Sequence, residues 1–383
     1  MSINVYMFPA RDGDCFLLEI NKKYIVVDSG YYETYHNSLK KKLAHISEIE
    51  LLIVSHIDRD HIEGAIELFK HKEHTPKFKE IWYNSYYHLP KDITKKELTQ
   101  EEIEILRGYT FPQISKAGVD ETPISGVQGM SLSYYLLHNR VTWNTATNGA
   151  SICIEHMHSF KLDEDIIITL LTPSLEQLSN LAIYWKNELK RKKWSFDLTD
   201  DDMFNDAMEA FLLSSERQLD VINIDISNSN KNMSIHELSK LTSLPDKSPT
   251  NASSISFILD SQGKRLLFLA DAPDALVVNT LKNLPIRFFD VIKLSHHGSL
   301  KNANSLFNYI DGEFFLISTD GSKHNHPDLS TLAKIVDRPG KKKRQLVFNY
   351  PNKAYLFFND RVMMRQYNYH VHLLADGDPI YIA

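Results

Sequence analysis

Four side chains able to bind a cation stand within six residues in the segment Ser55-His56-Ile57-Asp58-Arg59-Asp60-His61-Ile62-Glu63-Gly64. The apolar run Leu51-Leu52-Ile53-Val54 delivers the chain to His56. Ile62, Ala65, Ile66 and Phe69 then recur at helical spacing, so the four polar groups sit between a buried strand and a helix. In extended backbone His56 and Asp58 point the same way, while Asp60 and His61 fall where the turn enters the helix. One loop can thus feed two adjacent ions, the first from His56 and Asp58, the second from Asp60 and His61. Aspartates at a helix start are also ordinary caps, but capping does not call for two imidazoles beside them. Two cations roughly 3.5–4 Å apart can hold a hydroxide between them, lower its parent water's pKa to about 7 and polarise the oxygen under attack. A carboxylate such as Asp58 or Asp60 can orient that water.

The elements that must position this loop are repeated along the chain. Phe16-Leu17-Leu18-Glu19-Ile20, the polar turn Asn21-Lys22-Lys23 and Tyr24-Ile25-Val26-Val27 read as a hairpin ending on Asp28-Ser29-Gly30; a helical stretch and the strand ending on Ser55-His56 follow. About 240 positions later the order returns. Phe257-Ile258-Leu259-Asp260 turns through Ser261-Gln262-Gly263-Lys264 into Arg265-Leu266-Leu267-Phe268-Leu269-Ala270 and ends on Asp271. A helical stretch and the strand Asp290-Val291-Ile292-Lys293-Leu294 then end on Ser295-His296. A duplicated β-rich unit with helices outside predicts an α/β protein of two packed sheets flanked by helices, a four-layer αββα sandwich in a single domain over 1–383. Residues 90–150 read as one insertion, containing a Glu-rich helix from Lys95 to Arg107. Residues 174–250 read as a second, with two helices and a Ser/Asn/Lys/Pro-rich loop over 225–252, able to cover a site. Residues 340–383 read as C-terminal strands, including Leu346-Val347-Phe348 and Ala354-Tyr355-Leu356-Phe357-Phe358.

The first cluster resembles the His-x-His-x-Asp-His signature of the metallo-β-lactamase superfamily, with Asp58 in place of the second His. That variant, followed by Ile62-Glu63-Gly64, is similar to the hydrolase domain of ComEC-type DNA-uptake proteins and their stand-alone relatives. Gly13-Asp14-Cys15-Phe16-Leu17-Leu18, Asp28-Ser29-Gly30, Asn251-Ala252-Ser253-Ser254, Leu269-Ala270-Asp271, Leu294-Ser295-His296-His297-Gly298-Ser299 and His326-Pro327 resemble the same family's remaining elements. The resemblance implies a metal-dependent hydrolase with two divalent ions held by His56, Asp58, Asp60, His61, Asp271 and His296. Asp271 would bridge the ions and His296 would be the last ligand, a place the internal repeat also gives it. His297 would stand behind or beside the metals as a phosphate contact or proton donor. The superfamily's third-motif His has no clear counterpart; Asn251 stands nearest, with His156 and His158 as outside candidates. Three carboxylates and three imidazoles suit Zn²⁺ and Mn²⁺ alike. Charge building on the non-bridging oxygens of a phosphodiester would face the ions and the protonated side chains of His297 and His326, which favours a phosphodiesterase or nuclease.

The formal net charge of −6 excludes a generic polyanion binder, so DNA or RNA would be met by local basic surface. Lys190-Arg191-Lys192-Lys193-Trp194 and Lys341-Lys342-Lys343-Arg344 are candidates for it. The acidic balance favours the alternative of a small phosphodiester, a lactone or a thioester as substrate. A non-catalytic binding subunit that keeps the fold is a third reading. The insertions could dock a protein partner, for example in a bacterial defence operon. No apolar run approaches the roughly 20 residues of a membrane span. Met1 to Tyr6 reads as a strand and not as a signal peptide, and Cys15 and Cys153 read as buried thiols, so a cytoplasmic setting is expected. His370 and His372 alternate in a C-terminal strand and share a face.

Overall fold

Short runs of Val, Ile, Leu and Phe bounded by turn residues form the framework. The computed structural model describes residues 2–71, 76–90, 99–104, 131–191, 209, 233–340 and 342–382. The first half contributes β1 (Ile3–Met7), β2 (Cys15–Ile20), β3 (Lys23–Ser29), β4 (Glu48–Val54) and β5 (Lys77–Tyr83). The second contributes β6 (Ser159–Lys161), β7 (Ile166–Thr172), β8 (Ser256–Ser261), β9 (Lys264–Phe268), β10 (Phe288–Lys293) and β11 (Asp311–Ile317). The C-terminal part adds β12 (Arg344–Phe348), β13 (Tyr369–Leu373) and β14 (Pro379–Ile382). Among the described residues these make a six-stranded sheet, β14-β1-β2-β3-β4-β5, and an eight-stranded sheet, β13-β12-β11-β10-β9-β8-β7-β6.

The repeat visible in the sequence is a repeat of topology. β1-β2-β3 pair antiparallel and β3-β4-β5 parallel; β7-β8-β9 pair antiparallel and β9-β10-β11 parallel. Alternation along each strand sorts the core into layers. Leu51 and Ile53 of β4 face the second sheet, packing with Phe257, Leu266, Phe268 and Val291. Leu52 and Val54 face outward, under Ile62, Ala65, Ile66 and Phe69 of the Arg59–Lys70 helix. On the far side Ile292 and Phe315 pack beneath helices Asp274–Leu281 and Leu329–Val336. This is the four-layer αββα sandwich expected from the sequence. Each fully buried Leu or Ile contributes roughly 1.5–3 kcal/mol.

Two segments depart from the sequence reading. Ala354–Phe358 is not a strand: Lys353–Phe358 is a helix, started by Asn352, whose side chain accepts from the Tyr355 N–H. A five-residue apolar run does not distinguish strand from helix, and the cap decides here. Residues 225–252 are not all loop, because Ile235–Lys240 is a helix with a Ser234/Glu237 capping box, and Pro249–Ala252 forms a further helical turn. The first of the two helices expected in the 174–250 insertion is present as Leu175–Arg191. The second helix of that insertion, most of the Lys95–Arg107 helix and the stretch Lys192–Trp194 lie outside the described residues. Cys15 and Cys153 are free and buried. No helix among the described residues is long and apolar enough to cross a membrane.

Candidate metal centre

The carboxyl ends of β3, β4, β9, β10 and β11 meet at one rim of the sandwich, the place where parallel strands present ligand-binding loops. β4 delivers His56, and the chain then bends at Asp58, whose extended backbone occupies the N-cap position of the Arg59–Lys70 helix without a capping side-chain hydrogen bond. Asp60 and His61 follow in its first turn. Two glycines permit the close packing that fixes this loop. A Cβ on Gly13 would lie 2.1 Å from the Asp60 carbonyl oxygen, and one on Gly64 would lie 2.1 Å from that of Ser29. The Asp14 N–H donates to the Asp60 carbonyl at 3.1 Å, and the Ser318 hydroxyl donates to the Gly13 carbonyl at 2.7 Å.

From the second half, Asp271 follows β9, and His296 and His297 follow β10 in left-handed backbone, with φ of 45° and 54°. Asp28 (φ 54°) and Ala270 (φ 45°) share that uncommon conformation. Four such residues around one point mark a site where local strain is held by its surroundings.

His61 lies at the middle. Its Nδ1 is 2.8 Å from Asp28 Oδ2, and its Nε2 is 3.6 Å from both Asp60 Oδ2 and Asp271 Oδ1. His297 Nε2 is 3.3 Å from Asp60 Oδ2 and 3.8 Å from Asp271 Oδ2. His56 Nε2 is 3.4 Å from Asp58 Oδ2. Donor atoms of His56, His61 and Asp271 form one group within 4.8 Å, and those of Asp60, His61 and His297 form another. His56 Nε2, His61 Nε2, His297 Nε2 and Asp271 Oδ1 are buried and have no hydrogen-bond partner among the described residues. Buried polar atoms are normally satisfied, so a cluster of orphaned lone-pair donors fits cations. The other ring nitrogens are anchored: His56 Nδ1 at 3.0 Å from Ser55 Oγ, His61 Nδ1 on Asp28, and His297 Nδ1 at 3.0 Å from the Ser318 carbonyl. Each anchor leaves Nε2 facing the centre, the arrangement of outer partners behind metal-binding imidazoles.

His296 sits to one side. Its Nε2 is 3.7 Å from Asp271 Oδ2, while its Nδ1 is 3.5 Å from Asp246 Oδ2, 3.3 Å from Asn302 Oδ1 and 3.4 Å from Asn251 Nδ2. Asn251, the nearest stand-in for a third-motif His, donates to Asp246 at 2.7 Å and so backs His296. Burial alone would raise the Asp246 carboxyl, but His296, the Ser248 N–H and Asn251 outweigh it and hold it at about 2. His156 and His158 are exposed, and His156 Nδ1 lies 3.0 Å from the Ser151 carbonyl. His326 is 5.4 Å, ring to ring, from His296. Its expected positive charge is corrected here: burial, then the charge of His296, His297 and His324, pushes its pKa well below the ordinary value. Arg344 is likewise no nucleic-acid contact, since it is buried against Asp311 at 2.8 Å; Lys342 pairs with Glu313.

Sequence reasoning met Asp14 only as part of the Gly13-Asp14 motif and did not name Lys293 as a site residue. They form a buried ion pair beneath the centre, each 1% exposed. Asp14 Oδ1 is 3.5 Å from His297 Nδ1, and the Lys293 ammonium donates to the Ala270 carbonyl at 3.2 Å. Burial opposes ionisation of Asp14, but Lys293 and then His297 hold its pKa below the usual carboxylate range.

The charge balance sets a pH dependence. Burial disfavours a charged His61, yet Asp60, Asp28 and Asp271 raise its pKa to about 10; His297 is raised likewise by Asp271 and Asp14 against burial. A pKa raised on folding stabilises fully below the unfolded value of about 6.5 and is lost as pH climbs through the folded value. Metal-stripped protein should therefore lose thermal stability steadily between about pH 7 and pH 10. Metal-loaded protein should lose much less, because an ion has replaced those protons. Parallel melting curves for the two forms across this range would contradict the assignment. Asp28→Asn should weaken metal binding by about 10- to 100-fold through loss of the carboxylate behind His61, as measured by competition with a chromogenic chelator. An unchanged affinity would remove Asp28 from the centre.

Residues 9–145 match the family model of the Metallo-beta-lactamase superfamily. No curated protein matches the chain. Among solved structures, the chain is similar to Igni18, a metallo hydrolase from the archaeon Ignicoccus hospitalis, at 10% identity and TM-score 0.38, covering 100% of this chain and 99% of that one. It is similar to the metallo-beta-lactamase fold protein YhfI from Bacillus subtilis at 9% identity and TM-score 0.36, covering both chains fully. A third is a point mutant of the CmlA beta-hydroxylase, at 9% identity and TM-score 0.38, covering 100% of this chain and 53% of that one. Over residues 9–145 the metallo-β-lactamase resemblance read from the motifs is matched by the family model, and that superfamily's fold implies divalent-metal binding. The finer likeness to ComEC-type domains has no counterpart among these matches.

Proposed function

From the metallo-β-lactamase fold as premise, we propose that this chain is a metal-dependent phosphodiesterase that uses a pair of divalent ions, Zn²⁺ or Mn²⁺. The observation that carries this reading is the convergence of four buried, unpartnered donor atoms on His56, His61, His297 and Asp271. His56 and Asp58 would hold one ion and Asp60, His61 and His297 the other, with Asp271 between them and His296 completing the shell from the side of Asp246. His297 thereby takes a ligand's part, where the sequence suggested a phosphate contact or proton donor. Bound ions of this kind supply an activated water and charge for the oxygen under attack.

The chain's own groups favour a phosphoryl substrate. Burial, then the charges of Lys323, His296 and Lys301, lower the pKa of His324, so two ammonium groups lie within electrostatic reach of it, Lys323 also 3.7 Å from Asp12 Oδ2. They can bind the non-bridging oxygens of an ester. His326, kept neutral, offers a hydrogen bond there in place of a charge. Asp58 and Asp60, on the ligand loop, can orient the attacking water.

Nucleic acid and a small phosphodiester remain the two substrate classes. The engagement of Arg344 and Lys342 in ion pairs favours the small ester, and the stretch at Lys192–Trp194 would serve a nuclease. The test is to incubate the purified chain, loaded with Zn²⁺ or Mn²⁺, with single- and double-stranded DNA, RNA, a chromogenic phosphodiester, a lactone and a thioester. Nucleic-acid cleavage lost in Asp60→Ala supports a nuclease, and turnover of the small phosphodiester alone supports the second class. Turnover of only the lactone or thioester, or tight metal binding with no turnover at all, would overturn the phosphodiesterase reading.

A further inference from the structure

A second group of metal-type donors lies away from the centre, where the Arg59–Lys70 helix ends. Glu67 is in its last turn, His71 is the residue after it, and His36 comes from the neighbouring helical segment. His36 Nε2 is 3.0 Å and His71 Nε2 is 3.3 Å from the same oxygen, Glu67 Oε2. The Glu67 side chain is 1% exposed, against 26% for His36 and 48% for His71. The carboxylate therefore comes from the protein interior, and the imidazoles close over it from the surface. Its other oxygen, Oε1, accepts from the Lys70 ammonium at 3.1 Å, which leaves Oε2 turned to the two rings.

The local backbone serves this meeting. His36 stands in a π-turn, Tyr35–Leu39, a rare helical form found often at functional sites. Its ring is fixed against Tyr32 at 4.3 Å and Tyr35 at 5.0 Å between centroids. Glu67 and His71 are four residues apart and so share a helix face.

We propose that His36, Glu67 and His71 form a zinc site separate from the candidate centre, with Nε2 of each imidazole and Oε2 of Glu67 as ligands and water in the fourth position. Zinc bonds of roughly 2.0–2.1 Å in a tetrahedron put neighbouring ligand atoms about 3.3–3.4 Å apart, close to the 3.0 and 3.3 Å from each imidazole to Glu67 Oε2, and all three donor atoms lie within 4.8 Å of one another. Two imidazoles and a carboxylate are a preferred zinc donor set, and the Lys70 contact supplies the outer partner that such carboxylates carry. The site would tie the far end of the Arg59–Lys70 helix to the Tyr35–Leu39 turn. The same helix carries Asp60 and His61 in its first turn, so the tie would hold the ligand loop from behind.

The reading is tested by equilibrium dialysis of the full-length chain against zinc chloride, followed by elemental analysis, for wild type, His36→Ala and His71→Gln. His71 is half exposed, so its variant keeps the fold, which far-ultraviolet circular dichroism checks. Each variant is expected to hold one zinc fewer per chain than wild type at saturating free zinc, whatever number the centre retains. The zinc-induced rise in Tm is expected to be smaller in both. Equal zinc content in wild type and both folded variants at every free zinc concentration would overturn the proposal and leave the cluster as a hydrogen-bonded tie.

Discussion

Asp271→Asn is expected to lower the kcat/KM of metal-dependent hydrolysis by on the order of 10³-fold or more, since the charge stabilisation lost is worth several kcal/mol. One carboxylate reaches three imidazoles here: Oδ1 is 3.6 Å from His61 Nε2, and Oδ2 is 3.7 Å from His296 Nε2 and 3.8 Å from His297 Nε2. Those imidazoles come from both halves of the fold, and each of the two carboxylate oxygens faces a different half. Burial opposes its ionisation, but His296, His297 and His61 hold its pKa well below the carboxylate range, so it is a full negative charge at neutral pH. Asparagine keeps the volume and removes the charge that a pair of cations needs between them. The variant should also bind fewer ions. Turnover of a chromogenic phosphodiester by metal-loaded Asp271→Asn at the wild-type rate would contradict the bridging role.

Lys293→Met should cost about 3–5 kcal/mol of folding stability, the range for removing one partner of a buried ion pair. Asp14 and Lys293 are each 1% exposed. Without the ammonium, the Asp14 carboxylate would stay buried near the carboxylates of Asp28 and Asp271 that also surround His61. The loss should therefore exceed that of the double variant Asp14→Asn/Lys293→Met, where no unpaired charge remains. Urea unfolding of the three proteins measures the difference. A single variant as stable as wild type, or a double variant less stable than the single one, would show that the pair does not carry this burden.

Much of the frame was legible because both halves announce themselves locally. Each ligand loop follows an apolar strand and precedes a turn or helix, and the two halves repeat that order. His56, Asp58, Asp60, His61, Asp271 and His296 could therefore be put forward as candidate ligands from spacing and motif resemblance. The partners behind them could not. Asp14 meets Lys293 and Ser318 meets Gly13 across about 280 and 305 positions, contacts that only the packing of one sheet on the other creates. The ligand's part proposed here for His297 was also hidden. Side-chain direction is inferred from ordinary strand or helix backbone, and both residues have positive φ, which redirects them. The Lys353–Phe358 helix was misread for a simpler reason: its apolar residues are contiguous, and the deciding signal was a single cap at Asn352.

The central claim, that two half-sites on duplicated strand ends join to bind a pair of cations, is tested most directly by anomalous diffraction from crystals of the full-length protein loaded with Zn²⁺ or Mn²⁺. Two peaks are expected at the strand-end rim, each with donor atoms roughly 2.0–2.2 Å away: one beside His56 and Asp58, the other beside Asp60, His61 and His297, with Asp271 between. Absence of anomalous density at these residues in fully loaded protein would contradict it.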